Sequence, residues 1–131
     1  MKPPIHADER RYDEVTEKII GCAFKVANTL GSGFLEKVYE NALRIECVKA
    51  GLAVAQQSPI RVSYEGEVVG EYSADLLVNG GVIVGLKAAR ALDDIHVAQC
   101  LNYLKATGLK VCLLLIFGGL RLEVKRIVHE L

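Results

Sequence analysis

Apolar residues in the first part of the chain recur at the spacing of a helix. Over residues 15–30 they return every three or four positions, which predicts an amphipathic helix that the Gly-Ser-Gly segment at 31–33 ends. A second helix is predicted from about residue 34 to 50, since Gly51 suits the position after a helix C-terminus. Two helices are therefore expected ahead of the first strand.

After position 60 the apolar residues alternate with polar ones, as they do in strands. Residues 60–64 (IRVSY) and 68–78 (VVGEYSADLLV) predict two strands joined by a Glu-Gly turn, and Gly70 suits a bulge. The Asn-Gly-Gly sequence at 79–81 is a strong turn signal before a third strand that begins at Val82. A three-stranded meander is therefore expected.

One further helix and two strands follow the meander. Asp93 or Asp94 can cap a helix over about residues 95–107, and the continuous apolar run at 111–117 is typical of a central strand covered on both faces. Alternation returns over residues 120–128 and predicts an outer strand. The order helix, helix, three strands, helix and two strands predicts a mixed sheet flanked by helices, an α/β or α+β fold.

Length and composition limit the class of protein. The 131 residues suffice for one domain, with residues 1–12 as an N-terminal extension. Sixteen basic residues balance sixteen acidic ones, so a polyanion would have to bind a local patch instead of following a general positive field. We expect neither a membrane span nor a secretory signal. The four cysteines lack metal-site spacing and are interpreted as reduced core residues of a cytoplasmic protein.

Two charged residues lie inside apolar strand segments, Asp75 in "ADLL" and Lys87 in "GLKA". If residues 79–81 form a three-residue loop, Asp75 lies opposite Gly85 and diagonal to Lys87 on one face, roughly 7–8 Å apart between backbones. A two-residue loop would place the two charges on opposite faces. Burying an unpaired charge is costly, so these side chains either form a partly buried salt bridge without chemistry or line a site open to solvent.

The predicted helices bring further polar groups. Glu36 and Tyr39, three residues apart in "GFLEKVYE", share a face of the second helix, where Glu36 also suits the first turn electrostatically. On the third helix His96, Gln99 and Tyr103 form one stripe. Taken singly, each of these residues is more often a stabilising or solvated side chain than a functional one.

Four ordered blocks of the sequence resemble a known family. "GFLEKVY" matches the G-x-x-E-x-x-Y signature of a family of small prokaryotic proteins, and "GEYSADLLV", "HVAQCLNYLKATG" and "LLLIFG" resemble its other blocks. The resemblance runs from about residue 14 to 128. It implies membership of the PD-(D/E)XK nuclease superfamily and a restriction-endonuclease-like αβββαβ core, in agreement with the element order predicted above.

The resemblance also implies roles for individual residues. Glu36 corresponds to the first-helix acid, Asp75 to the catalytic aspartate, Lys87 to the lysine of the E-x-K element and Gln99 to a glutamine often found on the following helix. The nuclease hypothesis adds Tyr103 as a supporting residue beside Gln99. Glu36 and Asp75 would then bind Mg²⁺ or Mn²⁺, which stabilises charge on a phosphate, while Lys87 orients or deprotonates the attacking water. The implied partner is nucleic acid, with DNA favoured over RNA, and the exposed edges of the sheet would allow a homodimer.

One position departs from the family pattern. Gly85 stands where the family has glutamate, so "ELK" becomes "GLK" and a metal-binding carboxylate is missing. Glu71 does not replace it, because it lies four positions from Asp75, roughly 13 Å along a strand. Either metal binding and hydrolysis are impaired, or the fold serves as an inactive module that binds nucleic acid or protein.

Two further interpretations concern the basic residues. Lys87, Arg90 and Lys105 could contact phosphates in a binding module, although such residues usually only solvate a surface. A small metabolic enzyme that uses the Lys87 amine as a nucleophile is a weaker alternative, because the chain has no phosphate-binding glycine motif and no Cys/His cluster of metal type.

Overall fold

A computed structural model describes residues 5–130, with side chains from residue 10 onward. Its three helices and five strands follow the predicted order, which confirms the α/β class. The elements are α1 (Ile5–Leu30), α2 (Glu36–Lys49), β1 (Val54–Tyr64), β2 (Glu67–Val78), β3 (Val82–Lys87), α3 (Asp94–Thr107), β4 (Val111–Ile116) and β5 (Glu123–Val128).

The five strands form one mixed sheet in the order β1-β2-β3-β4-β5. Strands β3 and β4 are parallel and joined through α3, whereas the other neighbours are antiparallel. Such a parallel connection requires a crossover element, which the predicted third helix supplies. The arrangement is the αβββαβ order expected from the resemblance, preceded by α1 and followed by β5.

The sheet separates two hydrophobic layers. Side chains of α1 and α2 pack against one face, and α3 covers the other. All six residues of β4 are buried, as the continuous apolar run predicted for a central strand. Asp93 caps α3 by accepting a hydrogen bond from the Ile95 amide at 3.1 Å, and Gly108 ends the helix in a left-handed conformation.

Two element boundaries differ from the predictions by more than three residues. Helix α1 begins at Ile5, so residues 5–12 of the predicted extension are helical, while residues 1–4 lie outside the described part of the chain. Strand β1 begins at Val54, six residues before the predicted start. This strand lies at the edge of the sheet, where polar side chains and Pro59 are tolerated because one side of the strand needs no partner.

Turn geometry sets the register of β2 against β3. Asn79 and Gly80 both have positive φ, the Gly81 amide donates to the Val78 carbonyl at 3.1 Å, and Val78 pairs with Val82. Of the two loop lengths that the sequence left open, the structure therefore has the three-residue loop. The register of β1 and β2 also shifts by one residue next to Gly70, which confirms the predicted bulge.

Two remaining predictions concern the cysteines and the membrane. All four cysteines carry free thiols, and three of them are buried, as expected for reduced core residues. Within residues 5–130, no helix has both the length and the apolar character that a bilayer crossing requires.

Candidate active site

The candidate site lies where β2 and β3 separate. Their pairing ends at Leu76 and Val84, one residue before Asp75 on one strand and Gly85 on the other. The Asp75 carboxylate turns into the gap, where its Oδ2 accepts a hydrogen bond from the Leu86 amide at 2.8 Å. A side chain thus takes the place of a strand partner, and the separated strands leave room for a cavity.

A cavity of about 60 Å³ occupies this gap, between the sheet and α3. Asp75, Lys87, Gln99 and Tyr103 line it, and Gly85 forms part of its floor. Four of the five predicted catalytic residues therefore surround one small space that can hold water. The remaining apolar wall includes Ile83, Cys100, Cys112 and Leu114.

Burial has the largest effect on the pKa of the Asp75 carboxyl. Desolvation raises the pKa of its carboxyl above the usual 3.8, and the negative charge of Glu40 raises it further. The Leu86 amide and the Lys87 ammonium act in the opposite direction and favour the charged form. Because the folded protein holds this proton more tightly than the unfolded chain, stability from this group falls as the pH rises from 3.8 through the raised pKa.

Glu36 lies near the cavity without lining it. The residue is exposed in the first turn of α2, and its Oε1 accepts a hydrogen bond from the Ala88 amide at 3.2 Å. This contact places its carboxylate beside the end of β3, one residue beyond Lys87. Glu36 therefore contacts the chain just after Lys87, at Ala88. Asp75 contacts it two residues before Ala88, at Leu86.

A second acidic residue of α2, Glu40, connects to Asp75 through an amide. Glu40 is 3% exposed, and its two oxygens accept hydrogen bonds from Lys37, Gln56 and Gln57 at 2.7–2.8 Å. The Gln57 amide also reaches the Asp75 Oδ1 at 3.4 Å. Gln57 has a φ of 51° and lies in β1 at the position that faces Asp75 without a ladder pair. Gln57 therefore links the Asp75 carboxylate to the buried Glu40, and these contacts help to hold Asp75 in position.

The sequence reasoning missed both supporting residues. Glu40 follows Glu36 by four positions, one helical turn, so the spacing could have indicated a second carboxylate on the same face. Gln57 lies in the stretch before the predicted start of β1 and carries no local signal. Only the packing of α2 beside the edge strand brings Gln57 to Glu40.

A comparison with protein-family models matches residues 13–127 to the PD-(D/E)XK nuclease superfamily. The chain belongs to this superfamily. Comparisons with curated proteins and with solved structures gave no significant match. The α/β fold with its separated β2 and β3 is thus a restriction-endonuclease-like fold.

PD-(D/E)XK proteins generally use divalent metal ions, and the donor set here fits such an ion incompletely. Asp75 and Glu36 each keep one carboxylate oxygen free of a strong hydrogen bond, and Mg²⁺ can be held by one or two carboxylates with several waters. Glu40 is not a spare ligand, because its oxygens are engaged. Residues 10–130 contain no group of three or more Cys, His, Asp or Glu arranged to hold a metal.

The candidate carboxylate ligands are two, Glu36 and Asp75, because position 85 is a glycine. The Cα of Gly85 faces the cavity, and a Cβ built there would lie 3.7 Å from Leu114 Cδ1 and 3.8 Å from Cys100 Sγ, which are ordinary contacts. The backbone at Gly85 does not require glycine, since its φ is not positive. A side chain can therefore begin at this position, where the superfamily pattern has a carboxylate.

The tyrosine of the signature is a structural residue in this PD-(D/E)XK chain. Tyr39 is 1% exposed, stacks on Phe117 with ring centroids 4.7 Å apart, and donates its hydroxyl hydrogen to the Gly31 carbonyl at 2.6 Å. The hydroxyl oxygen also accepts from the Phe34 amide at 3.2 Å. Tyr39 thereby fixes the loop between α1 and α2, which sets where Glu36 begins its helix.

Tyr39→Phe is expected to lower the free energy of unfolding by about 1–3 kcal/mol, because it leaves two loop backbone groups without their partner. Chemical denaturation measures the loss. The exposed Tyr64 provides the matched control, since Tyr64→Phe removes a hydroxyl that water replaces. Equal stability of both variants and the unchanged chain would contradict the structural role of Tyr39.

Proposed function

We propose that the chain is a metal-dependent nuclease of impaired activity that hydrolyses phosphodiester bonds in nucleic acid, DNA in preference to RNA. The observation that supports this most directly is the convergence of Asp75 and Lys87 on one cavity whose missing carboxylate is at Gly85. We further assign the chain to the G-x-x-E-x-x-Y family within the superfamily, on the sequence blocks that surround Glu36, Asp75 and Gln99.

Each residue has a role in this proposal. Asp75 and Glu36 would hold Mg²⁺ or Mn²⁺, which supplies charge stabilisation at the scissile phosphate. Lys87 lines the same cavity as Asp75 and orients the attacking water towards the phosphorus. Gln99 and Tyr103 reach the cavity from α3 and position the phosphate by hydrogen bonds. The Leu86 amide holds the Asp75 carboxylate in place through the reaction.

The proposal predicts slow hydrolysis that depends on Asp75. Purified chain incubated with labelled single-stranded and duplex oligonucleotides in Mn²⁺ or Mg²⁺ should give products above the background of Asp75→Asn, and chelation should remove the difference. Asp75→Asn is a suitable control because an amide oxygen can still accept from Leu86, so the fold is kept. Cleavage equal to that of Asp75→Asn under all conditions would reject catalysis by the natural sequence.

The same site also supports a second candidate function, an inactive module that binds nucleic acid or protein. The observation that favours it is Gly85, which removes one acidic ligand from a pair of strands that otherwise keeps the nuclease geometry. Binding that weakens steeply with added salt would indicate phosphate contacts. Salt-insensitive association would indicate a protein partner, including a second copy added to the exposed edge of β1 or β5.

A further inference from the structure

A second and larger cavity adjoins the candidate active site. It has a volume of about 490 Å³ and lies between one face of α3 and the β1–β2 hairpin. This volume is within the range of small-molecule sites, roughly 300–1,000 Å³. We call it the hairpin groove; it is lined by Val62, Tyr72, Ile95, Ala98, Gln99, Asn102, Tyr103, Lys105 and Ala106. None of the catalytic roles proposed above requires a space of this size.

Two tyrosine rings form the aromatic part of the hairpin groove. Tyr72 and Tyr103 have ring centroids 5.7 Å apart and an angle of 45° between planes, so the rings contact each other and leave no gap for a third ring. Tyr72 is 51% exposed and offers an accessible face to a flat ligand. The Tyr72 ring extends over Gly70, where a Cβ would lie 3.5 Å from the ring. The groove thus presents an aromatic platform.

Polar groups of α3 also line the hairpin groove. Gln99 and Asn102 carry side-chain amides that both donate and accept hydrogen bonds, and Lys105 supplies a positive charge. Ile95, which is 68% exposed, and Val62 complete an apolar wall. A flat aromatic ligand with hydrogen-bonding edges and an attached anionic group matches this combination.

The hairpin groove lies next to the Asp75–Lys87 cavity and shares two lining residues with it. Gln99 and Tyr103 line both spaces, and Tyr72 precedes Ser73, which lines the smaller cavity. Because the proposed function places a phosphate in the smaller cavity, a ligand that occupies both spaces carries a phosphate next to an aromatic ring system, as a nucleotide chain does. A protein side chain bound in the groove would not place a phosphate in the Asp75–Lys87 cavity.

We propose that the hairpin groove binds one unstacked nucleobase of a single-stranded nucleic acid whose neighbouring phosphodiester lies at Asp75 and Lys87. This inference rests on the proposed function, because it takes the cavity as the phosphate position. A base inside a duplex is paired and stacked on both faces, so only a single-stranded or extruded nucleotide can place its face on Tyr72. The groove therefore favours single-stranded or extruded nucleotides over a paired duplex.

The test compares two oligomers with the same phosphates. Fluorescence anisotropy in a chelating buffer measures binding of a labelled oligothymidylate and of an abasic oligomer of equal length. We expect the unchanged chain to bind the thymidine oligomer about tenfold more tightly, since stacking of one base on an aromatic side chain has an effect of this size. Tyr72→Ala should remove this preference, and Tyr72→Phe should keep it.

Tyr64→Ala is the matched control, because Tyr64 is an exposed tyrosine of the same hairpin outside the groove, and its removal should leave the preference intact. Equal affinity of the unchanged chain for the two oligomers would overturn the base site while leaving the phosphate cavity in place. A full preference in Tyr72→Ala would also overturn it. Failure to bind either oligomer would also overturn the base site, while the proposed hydrolysis, which uses a metal ion, is tested separately by the cleavage assay.

Discussion

Gly85→Glu is expected to increase affinity for Mn²⁺ or Mg²⁺ by at least about tenfold and the rate of phosphodiester cleavage by about 100-fold. The added carboxylate would supply a third acidic ligand between Asp75 and Lys87, and affinity for such hard cations rises with the number of charged oxygens. A 100-fold rate increase corresponds to about 2.7 kcal/mol of barrier, within what a bound metal ion supplies. Isothermal titration and oligonucleotide cleavage measure the two effects.

A Cβ atom at position 85 fits without a backbone change. The nearest atoms to a Cβ at residue 85, on Leu114 and Cys100, lie at 3.7 and 3.8 Å, and the φ of Gly85 is accessible to any residue. A new negative charge beside Asp75 will further favour protonation of one of the two carboxyls while metal is absent. The variant should therefore be less stable than the unchanged chain in chelating buffer and gain stability as the metal is added.

Two controls separate charge from shape. Gly85→Gln fills the same space with no negative charge and should gain neither metal affinity nor cleavage. Gly85→Glu combined with Asp75→Asn should lose most of the gain, because the two carboxylates act on one ion. A folded Gly85→Glu variant with unchanged metal affinity would show that the space between β2 and β3 is not a metal site.

The fold could be predicted because its elements carry local signals. The continuous apolar run of β4 marks a strand covered on both faces, and Asp93 and Gly108 mark the two ends of α3. The start of β1 could not be predicted in the same way. An edge strand buries little, so its residues 54–59 include two glutamines, a serine and a proline that read as a loop.

Half of the candidate site followed from one register. Once residues 79–81 are known to form a three-residue loop, strand geometry places Asp75 and Lys87 on a common face, whereas the sequence alone left a two-residue loop open. No comparable rule predicts the contact of Glu40 with Gln57, because it joins a helix to an edge strand 17 residues further along the chain. Their meeting depends on how α2 packs beside β1, which local patterns do not encode.

Glu40→Gln is expected to lower the free energy of unfolding by about 1–3 kcal/mol, the penalty for unsatisfied buried polar groups. Both oxygens of Glu40 accept hydrogen bonds in a position that is 3% exposed. In glutamine one of these oxygens becomes an amide nitrogen, which then faces the donor of Gln57 or those of Gln56 and Lys37. Chemical denaturation gives the loss.

The same substitution should lower the pKa of Asp75. Burial remains the main cause of the raised pKa, but the negative charge of Glu40 contributes to it, so removing that charge favours the ionised form of Asp75. A carboxyl-carbon NMR titration of Asp75 in both proteins measures the shift directly and needs no metal. Looser contact of Gln57 with Asp75 acts the other way, and the expected direction follows because the Glu40 charge is the larger of these two influences.

Glu46→Gln on the same helix is the matched control. Glu46 forms ion pairs with Lys25 and Lys49 near the surface, at 3.0 and 3.6 Å, where water can replace a lost partner. This variant should lose less stability than Glu40→Gln and leave the titration of Asp75 unchanged. An Asp75 pKa that stays the same or rises in Glu40→Gln would show that Glu40 supports the fold alone and has no electrostatic part in the site.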